Sequence, residues 1–246
     1  MPIEKTPGGE RWGSRDFFRG RGFVKGQDKL VNNETDLLKV VETKKTGKGL
    51  VAKAPIKEGA RIFGIQGSEE EIVQERERKF SKSKADRSPL LNLSGNPDLY
   101  LPNSICVGQK TAPDGRVINT MLDPDDDNPL RFINHSCDPN ARRMGPFAIG
   151  AFRDIAVGEP ITIDYSILEV NPEWRMKCLC GSPDCRGEIR SVQYLTPKQI
   201  EPSWKDLPGF IKRIYMQSAE KRFLSQKDKE VLNKLKENME SFGFGD

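Results

Sequence analysis

The sequence lacks any apolar run near the roughly 20 residues that a membrane-spanning helix needs. Its first 30 residues also lack the basic start and apolar stretch that mark a secretory signal. The net charge is only +4 although charged residues make up 31% of the chain, which disfavours nucleic acid as the main ligand. We therefore expect an intracellular protein, nuclear or cytoplasmic, that has no contact with membranes and meets nucleic acid only indirectly.

Cysteine is scarce and odd in number, with five residues, which argues against a disulfide framework in an intracellular protein. Cys137 stands 41 positions before Cys178, which is followed by Cys180 and Cys185. Four thiolates complete the tetrahedral shell of a structural zinc ion, and such a closed site leaves no position for substrate. Zinc binding would therefore fix the later segment to the middle of the fold. Cys106 is expected to be a small apolar strand residue rather than a nucleophile.

The chain has only one histidine, His135, so a hydrolase with a histidine base would have to use it. In an extended strand the side chains of His135 and Cys137 share a face, and Ser136 points to the other side. A thiolate that is committed to zinc cannot also attack a substrate. A serine or cysteine nucleophile is therefore not expected.

Short apolar stretches between turn residues predict a mainly β organisation with α additions. The predicted strands are 37–41, 50–52, 61–63, 104–107, 147–152 and 161–165. Residues 1–34 have few periodic apolar positions, which is typical of a mobile arm. A charged stretch at 69–84 is predicted to be a surface helix. The acidic cluster within 123–127 is either a hydrated loop or an attractive field for a basic peptide.

The last third of the sequence predicts helices. Thr196 with Gln199 predicts a capped short helix, and 210–215 suggest a second apolar face. A third helix is expected to start after Ser225 and to end near Gly243. Its apolar stripe is predicted to pack against this chain or a second copy of it. The stripe contains Val231, Leu232, Leu235, Met239 and Phe242.

Several of these strings, in this order, resemble the motifs of SET-domain protein lysine methyltransferases, and the resemblance runs from about residue 36 to residue 189. The strings are 46–50, a Gly-x-Gly turn; Asn128 with 131–137, the central motif; 158–165, ending in Asp-Tyr; and the Cys-x-Cys-x4-Cys run before Arg186 and Gly187. The family implies a fold of several small sheets with a pseudoknot. It also implies a SET domain at 35–170 with an insert at about 68–128 and a zinc-bound post-SET segment at 171–190. The helices predicted after this segment make 191–246 a C-terminal helical extension.

The resemblance further implies methylation of a lysine amine in a protein, such as a histone or another basic protein. The methyl donor would be S-adenosylmethionine, and S-adenosylhomocysteine the product. Tyr165 would be the catalytic residue and, with Ile163, would line the substrate channel. The donor-binding residues implied by the family are Gly47, Lys48, Gly49, Leu50, Arg131, Asn134, His135 and Tyr165.

Two departures from the family pattern limit what carries over. Ile163 stands where many members have an aromatic residue; it offers no hydroxyl, which favours more than monomethylation. No cysteine cluster precedes the domain, as a histone-directed pre-SET type would have, so the substrate is open. The alternative from another class is a catalytically weak SET fold that holds zinc and binds a peptide.

Overall fold

The computed structural model describes residues 37–64, 105–111, 117–122, 129–146 and 148–241. The predicted arm at 1–34, the helix at 69–84, the acidic cluster within 123–127 and Asn128 lie outside these ranges. Phe242 and Gly243, at the predicted end of the last helix, also lie outside them.

Short strands dominate the described residues before 191, as the sequence predicts. They are β1 (Leu38–Thr43), β2 (Gly47–Ala52), β3 (Arg61–Gly64), β4 (Ile105–Thr111), β5 (Val117–Leu122), β6 (Asn134–His135), β7 (Ala141–Arg143), β8 (Ala148–Ala151), β9 (Thr162–Ile163), β10 (Arg175–Lys177) and β11 (Glu188–Arg190). The pairs β1–β2, β4–β5 and β10–β11 are antiparallel, and β3–β8–β7 forms an antiparallel three-stranded sheet. The predicted mainly β class with several small sheets is confirmed.

One pair of strands is parallel and brings distant segments together. Asn134 pairs with Thr162 and His135 pairs with Ile163, so β6 lies beside β9. The amide of Ser136 extends the contact by donating to the carbonyl of Ile163 at 3.1 Å. Parallel neighbours cannot be joined by a tight hairpin, so this pair depends on the packing of the chain between them.

Helices and 3₁₀ turns follow the last strand. The helices are α1 (Pro197–Ile200), α2 (Gly209–Ala219) and α3 (Gln226–Ser241). The predicted short helix begins with a capping box, because Thr196 Oγ1 accepts from the amide of Gln199 and Gln199 Oε1 accepts from the amide of Thr196. Ser225 Oγ accepts from the amide of Asp228 at the start of α3. In the described ranges, no helix is both long and apolar enough to cross a membrane.

One hydrophobic core runs from the β1–β2 hairpin to the C-terminal helices. Leu232 and Leu235 of α3 are buried, and Val231 and Met239 pack partly against the same core. The indole Nε1 of Trp204 donates to the carbonyl of Leu235 at 3.1 Å, which fixes α3 to the turn at Glu201–Asp206. The predicted stripe therefore packs against this chain.

The structure differs from the sequence prediction in the sheets, because β5, β6, β7, β10 and β11 were not predicted. Strand β7 was not predicted because Arg142 and Arg143 look like surface residues, yet both are buried. Arg143 donates to the carbonyls of Cys106, Gly145 and Pro146, which replace the water that a guanidinium loses on burial. The predicted strand 161–165 is shorter than expected, since Asp164 caps a 3₁₀ turn at Tyr165–Ile167.

Candidate active site and thiolate centre

The parallel pair β6–β9 is held from one side by Asn140. Its amide nitrogen donates to Glu159 Oε1 and to the carbonyl of Pro160, each at 2.8 Å, while its oxygen accepts from the amide of Thr162 at 2.9 Å. Asn140 is buried, and these contacts connect the chain after β6 to the start of β9. The sequence analysis gave Asn140 no role, because an asparagine after a proline looks like an ordinary turn residue.

Tyr165 opens the 3₁₀ turn that follows β9. Its hydroxyl donates to the carbonyl of Ile133 at 2.7 Å, and its amide donates to Nδ1 of His135 at 3.2 Å. Burial raises the pKa of Tyr165 to about 12, so the phenol is neutral in the physiological range. The tyrosine is thus a protonated hydroxyl on a turn whose position is set by β6.

His135 lies between this tyrosine and the cysteines. Its ring centroid is 5.4 Å from that of Tyr165, and its Nε2 is 3.3 Å from Sγ of Cys137. Burial lowers the pKa of His135 to about 4, against the opposing effect of Asp164 at 3.7 Å. A neutral imidazole beside Cys137 and Tyr165 is therefore a packing and hydrogen-bonding group at neutral pH.

Three of the four predicted cysteines, Cys137, Cys178 and Cys180, lie in one group of possible metal ligands, and Cys185 is not part of that group. Sγ of Cys137 and Sγ of Cys178 are 3.7 Å apart, and the amide of Cys180 donates to Sγ of Cys178 at 3.5 Å. Burial raises the pKa of Cys178. The ligand atoms of His135, Cys137, Cys178 and Cys180 all lie within 4.8 Å of one another, so an imidazole, which the sequence analysis did not include, also borders the cluster.

The spacing of these sulfurs suits a tetrahedral ion. Zn–S bonds of about 2.3 Å place the sulfurs of a tetrahedral site about 3.8 Å apart, close to the distance between Cys137 and Cys178. Arg186, which follows Cys185, donates through its amide and its Nε to Sγ of Cys137, each at 3.3 Å. Such donors offset the negative charge of a thiolate cluster.

The residues predicted to bind a methyl donor come from two segments that are in contact. Asn134 Nδ2 donates to the carbonyl of Lys48 at 3.0 Å, which joins β6 to β2. A Cβ on Gly49 would lie 2.9 Å from the same Nδ2, so only glycine allows this approach. Gly47 has φ +75°, the left-handed conformation that closes the β1–β2 turn.

The other predicted site residues are placed differently. Leu50 and Ile163 are buried in the core, with 1% and 0% of their surfaces exposed. A donor contact of Leu50 would therefore involve its backbone, and the place of Ile163 in a substrate channel stays a prediction. Arg131 lies in the 3₁₀ turn at Pro129–Phe132 that leads into β6.

Comparison with known proteins places this geometry in a family. The SET domain family matches residues 47–166. Histone-lysine N-methyltransferase ash1 of Drosophila melanogaster is 30% identical over 75% of this chain and 8% of its own length. Probable histone-lysine N-methyltransferase set-23 of Caenorhabditis briggsae is 33% identical over 65% of this chain and 64% of its own length.

Residues 47–166 are therefore a SET domain. The chain spans less than two thirds of the length of either relative. A solved structure, the methyltransferase domain of human histone-lysine N-methyltransferase SETMAR, is 24% identical with a TM-score of 0.37 and covers 63% of this chain and 58% of that one. This score is too low to support an argument beyond the family match.

Proposed function

We propose that this protein transfers a methyl group to the side-chain amine of a lysine in a protein substrate. The observation that carries the proposal is the position of Tyr165, a buried neutral phenol at the point where β6 and β9 meet. Both strands belong to the matched SET domain. The names of the two relatives, each a histone-lysine N-methyltransferase, point to a histone or another basic protein as substrate.

The methyl donor in this proposal is S-adenosylmethionine, which supplies an activated methyl group and leaves as S-adenosylhomocysteine. The residues that would hold it lie on the β1–β2 turn and around β6, and the 3.0 Å bond from Asn134 to Lys48 already joins these two segments. The proposed donor-binding residues are Gly47, Lys48, Gly49, Leu50, Arg131, Asn134, His135 and Tyr165.

The protein side of the reaction consists mainly of positioning and desolvation. A lysine has an unperturbed pKa of about 10.4, and removal from water favours its uncharged, reactive form. The hydroxyl and the ring of Tyr165 would orient that amine. His135 stays neutral and packs against Tyr165, so it serves this site as a packing and hydrogen-bonding group.

We further propose that Cys137, Cys178, Cys180 and Cys185 bind one structural zinc ion and that 171–190 is a post-SET segment. The support is the 3.7 Å distance between the sulfurs of Cys137 and Cys178, the position of Cys180 in the same group of ligand atoms, and the hydrogen bond from Arg186 to Cys137. The ion would join the segment after β10 to the SET domain beside Tyr165. The proposed place of action is inside the cell, and self-association through α3 remains a proposal.

The test is methylation of histones and basic peptides with labelled donor, comparing the native protein with Tyr165→Phe. Loss of the hydroxyl should lower kcat by about 100-fold, because it removes a group that aligns the amine, while the Kd for the donor should change little. Tyr194→Phe is the matched control, since Tyr194 is an exposed tyrosine outside the site.

Equal activity of Tyr165→Phe and the native protein would refute the catalytic role of Tyr165. A native protein that binds peptide and donor but transfers no methyl group would instead support the alternative of a catalytically weak binding module. Mass spectrometry of the product also tests the effect of Ile163: a reaction that stops at monomethyl-lysine would contradict the expectation of higher methylation.

A further inference from the structure

Arg186 contacts two parts of the molecule that are far apart in sequence. On one side its backbone amide and its Nε donate to Sγ of Cys137, each at 3.3 Å. On the other side its Nη2 donates to Asp164 Oδ1 at 2.6 Å, and its Nη1 donates to Ser166 Oγ at 3.3 Å. The guanidinium therefore bridges the sulfur cluster and the turn that carries Tyr165.

The carboxylate that Arg186 contacts also determines the conformation of this turn. Asp164 is the N-cap of the 3₁₀ turn at Tyr165–Ile167, and the oxygen that pairs with Arg186 also accepts from the amide of Ser166 at 3.0 Å. Tyr165 lies between these two residues. Any shift of Asp164 would therefore move the backbone from which the phenol extends.

The environment of the bridge makes it stronger than a surface ion pair. The side chains of Arg186 and Asp164 are only 16% and 14% exposed. Charge-assisted hydrogen bonds are short and strong where little water competes, and a planar guanidinium can contact several acceptors at fixed angles. Lysine has no such fork, so it cannot reproduce the whole set of contacts.

We propose that Arg186 is a positioning residue that fixes the Tyr165 turn to the cysteine cluster through Asp164. Its effect on catalysis rests on the proposed methyltransferase function, whereas its effect on the position of Tyr165 does not. The cysteine cluster thereby has a second role besides joining two segments, because one of its sulfurs anchors the residue that orients the turn.

The first measurement follows Tyr165 itself and needs no activity. The chain has four tyrosines, so protein labelled with 3-fluorotyrosine gives a simple fluorine NMR spectrum in which Tyr165→Phe identifies one resonance. Arg186→Gln is expected to shift or broaden that resonance, with the metal content unchanged. Arg175→Gln is the control, because Arg175 is exposed and loses the same charge from the neighbouring strand β10.

The second measurement is kinetic. Arg186→Gln should lower kcat by about 10- to 100-fold, as expected for a misplaced reacting group, and should change the KM for the donor much less. If Arg186 acts through Asp164, then adding Asp164→Asn to Arg186→Gln should cost little more than either change alone. Effects that add fully on a logarithmic scale would overturn the proposal.

If Arg186→Gln fails to fold, a second variant still tests the positioning role of Arg186. Asp164→Asn keeps an oxygen that can cap the turn but removes the charge that pairs with Arg186, so it should change the Tyr165 resonance in the same way. An unchanged Tyr165 resonance in folded Arg186→Gln or Asp164→Asn would refute the positioning role, even in an active enzyme. A native protein without methyl transfer would refute the proposed function alone, since the resonance test would still decide the role of Arg186.

Discussion

Tyr165 shows how one side chain in this site depends on backbone groups from another strand. Its hydroxyl is bound by the carbonyl of Ile133 and its amide by His135, so both ends of the residue are fixed by the segment around β6. A tyrosine by itself does not indicate a catalytic position, because most buried tyrosines are core residues whose hydroxyl has a hydrogen-bond partner. The Asp-Tyr motif identified the residue, and the structure supplies its hydrogen-bond partners.

The raised pKa of Tyr165 predicts a specific pH dependence. The phenol should keep its proton until about pH 12 in the folded protein, whereas an unfolded tyrosine loses it near pH 10. The stability that this proton contributes is complete below about pH 10 and is lost as the pH rises through about 12. Because Tyr165 keeps its proton over this range, the rate of methylation should increase up to about pH 10 as the substrate lysine loses its proton.

The ultraviolet absorbance of phenolate measures this directly, as the difference between the titrations of the native protein and Tyr165→Phe. The expected difference is a single step near pH 12. A step near pH 10 would contradict the burial of the Tyr165 hydroxyl.

Gly49 provides a second prediction for a single residue. In Gly49→Ala the new Cβ would lie 2.9 Å from both Asn134 Nδ2 and Thr43 Cγ2. The crowding should lower the free energy of unfolding by about 1–3 kcal/mol and weaken donor binding, because Asn134 must leave the carbonyl of Lys48. Urea unfolding and donor titration measure the two effects.

Gly47→Ala is the matched comparison, because nothing lies within 4 Å of a Cβ there and the only cost is the φ of +75°. That conformation costs about 1–2 kcal/mol for an alanine, and Asn134 stays in place. Equal loss of donor affinity in both variants would contradict the idea that Gly49 is needed for the close approach of Asn134.

Among the secondary-structure elements, α3 follows its sequence pattern closely. Its apolar positions recur at helical spacing, and the structure buries Leu232 and Leu235 on that face. The expectation left open whether this chain or a second copy covers the stripe. Packing against α1 and the Glu201–Asp206 turn shows that the helix stabilises its own chain.

Leu235→Ala tests this packing. Leu235 is 2% exposed, so removal of its side chain should lower the free energy of unfolding by about 2–5 kcal/mol. Lys234→Ala, one position away on the exposed face, should change it by less than about 0.5 kcal/mol. Thermal unfolding of both variants at several protein concentrations is the measurement; a loss that disappears at high concentration would instead indicate a dimer.

Local sequence predicted β1–β4, β8 and β9, missed the other described strands, and predicted sheet partners poorly. The turn at Gly47 and the capping box at Thr196 depend on residues that are adjacent in the sequence, so a local sequence pattern can indicate them. Strand β7 was missed because the burial of Arg143 depends on acceptors that include the distant carbonyl of Cys106. The pairing of β6 with β9 has no local signal either and was not predicted; the family resemblance implied only a pseudoknot, which stays a prediction.

For the whole molecule, the cysteine cluster is one link between the SET domain and the segment after it. Cys137 lies just after β6, and Cys178, Cys180 and Cys185 lie around the β10–β11 pair. Spacing in the sequence predicted a set of four sulfurs, and three of them, in Cys137, Cys178 and Cys180, lie in one group of possible ligand atoms. It could not predict that His135 borders them or that Arg186 continues to Asp164, because both contacts depend on how β6 and β9 are placed.

Metal removal should therefore affect more than the segment that carries the cysteines. Reduced native protein should contain one zinc ion, and Cys180→Ser or a chelator should lower zinc content, protease resistance around 171–190 and methylation together. Elemental analysis and limited proteolysis are the measurements. Cys106→Ser is the control, because Cys106 lies in β4 and should leave the zinc content unchanged.

The position of Arg186 in the sequence also affects the stage of synthesis at which the protein can become active. The carbonyl of Lys48 contacts Asn134, and the guanidinium of Arg186 contacts Asp164. The site around Tyr165 therefore needs residues from the start of the SET domain and one residue beyond its end. A nascent chain that has released the whole SET domain from the ribosome still lacks the group that fixes its tyrosine. Under the proposed function, full methyl transfer should therefore appear only after the arginine has left the exit tunnel, and a chain that terminates before it should be at least about 10-fold slower however well its strands have formed.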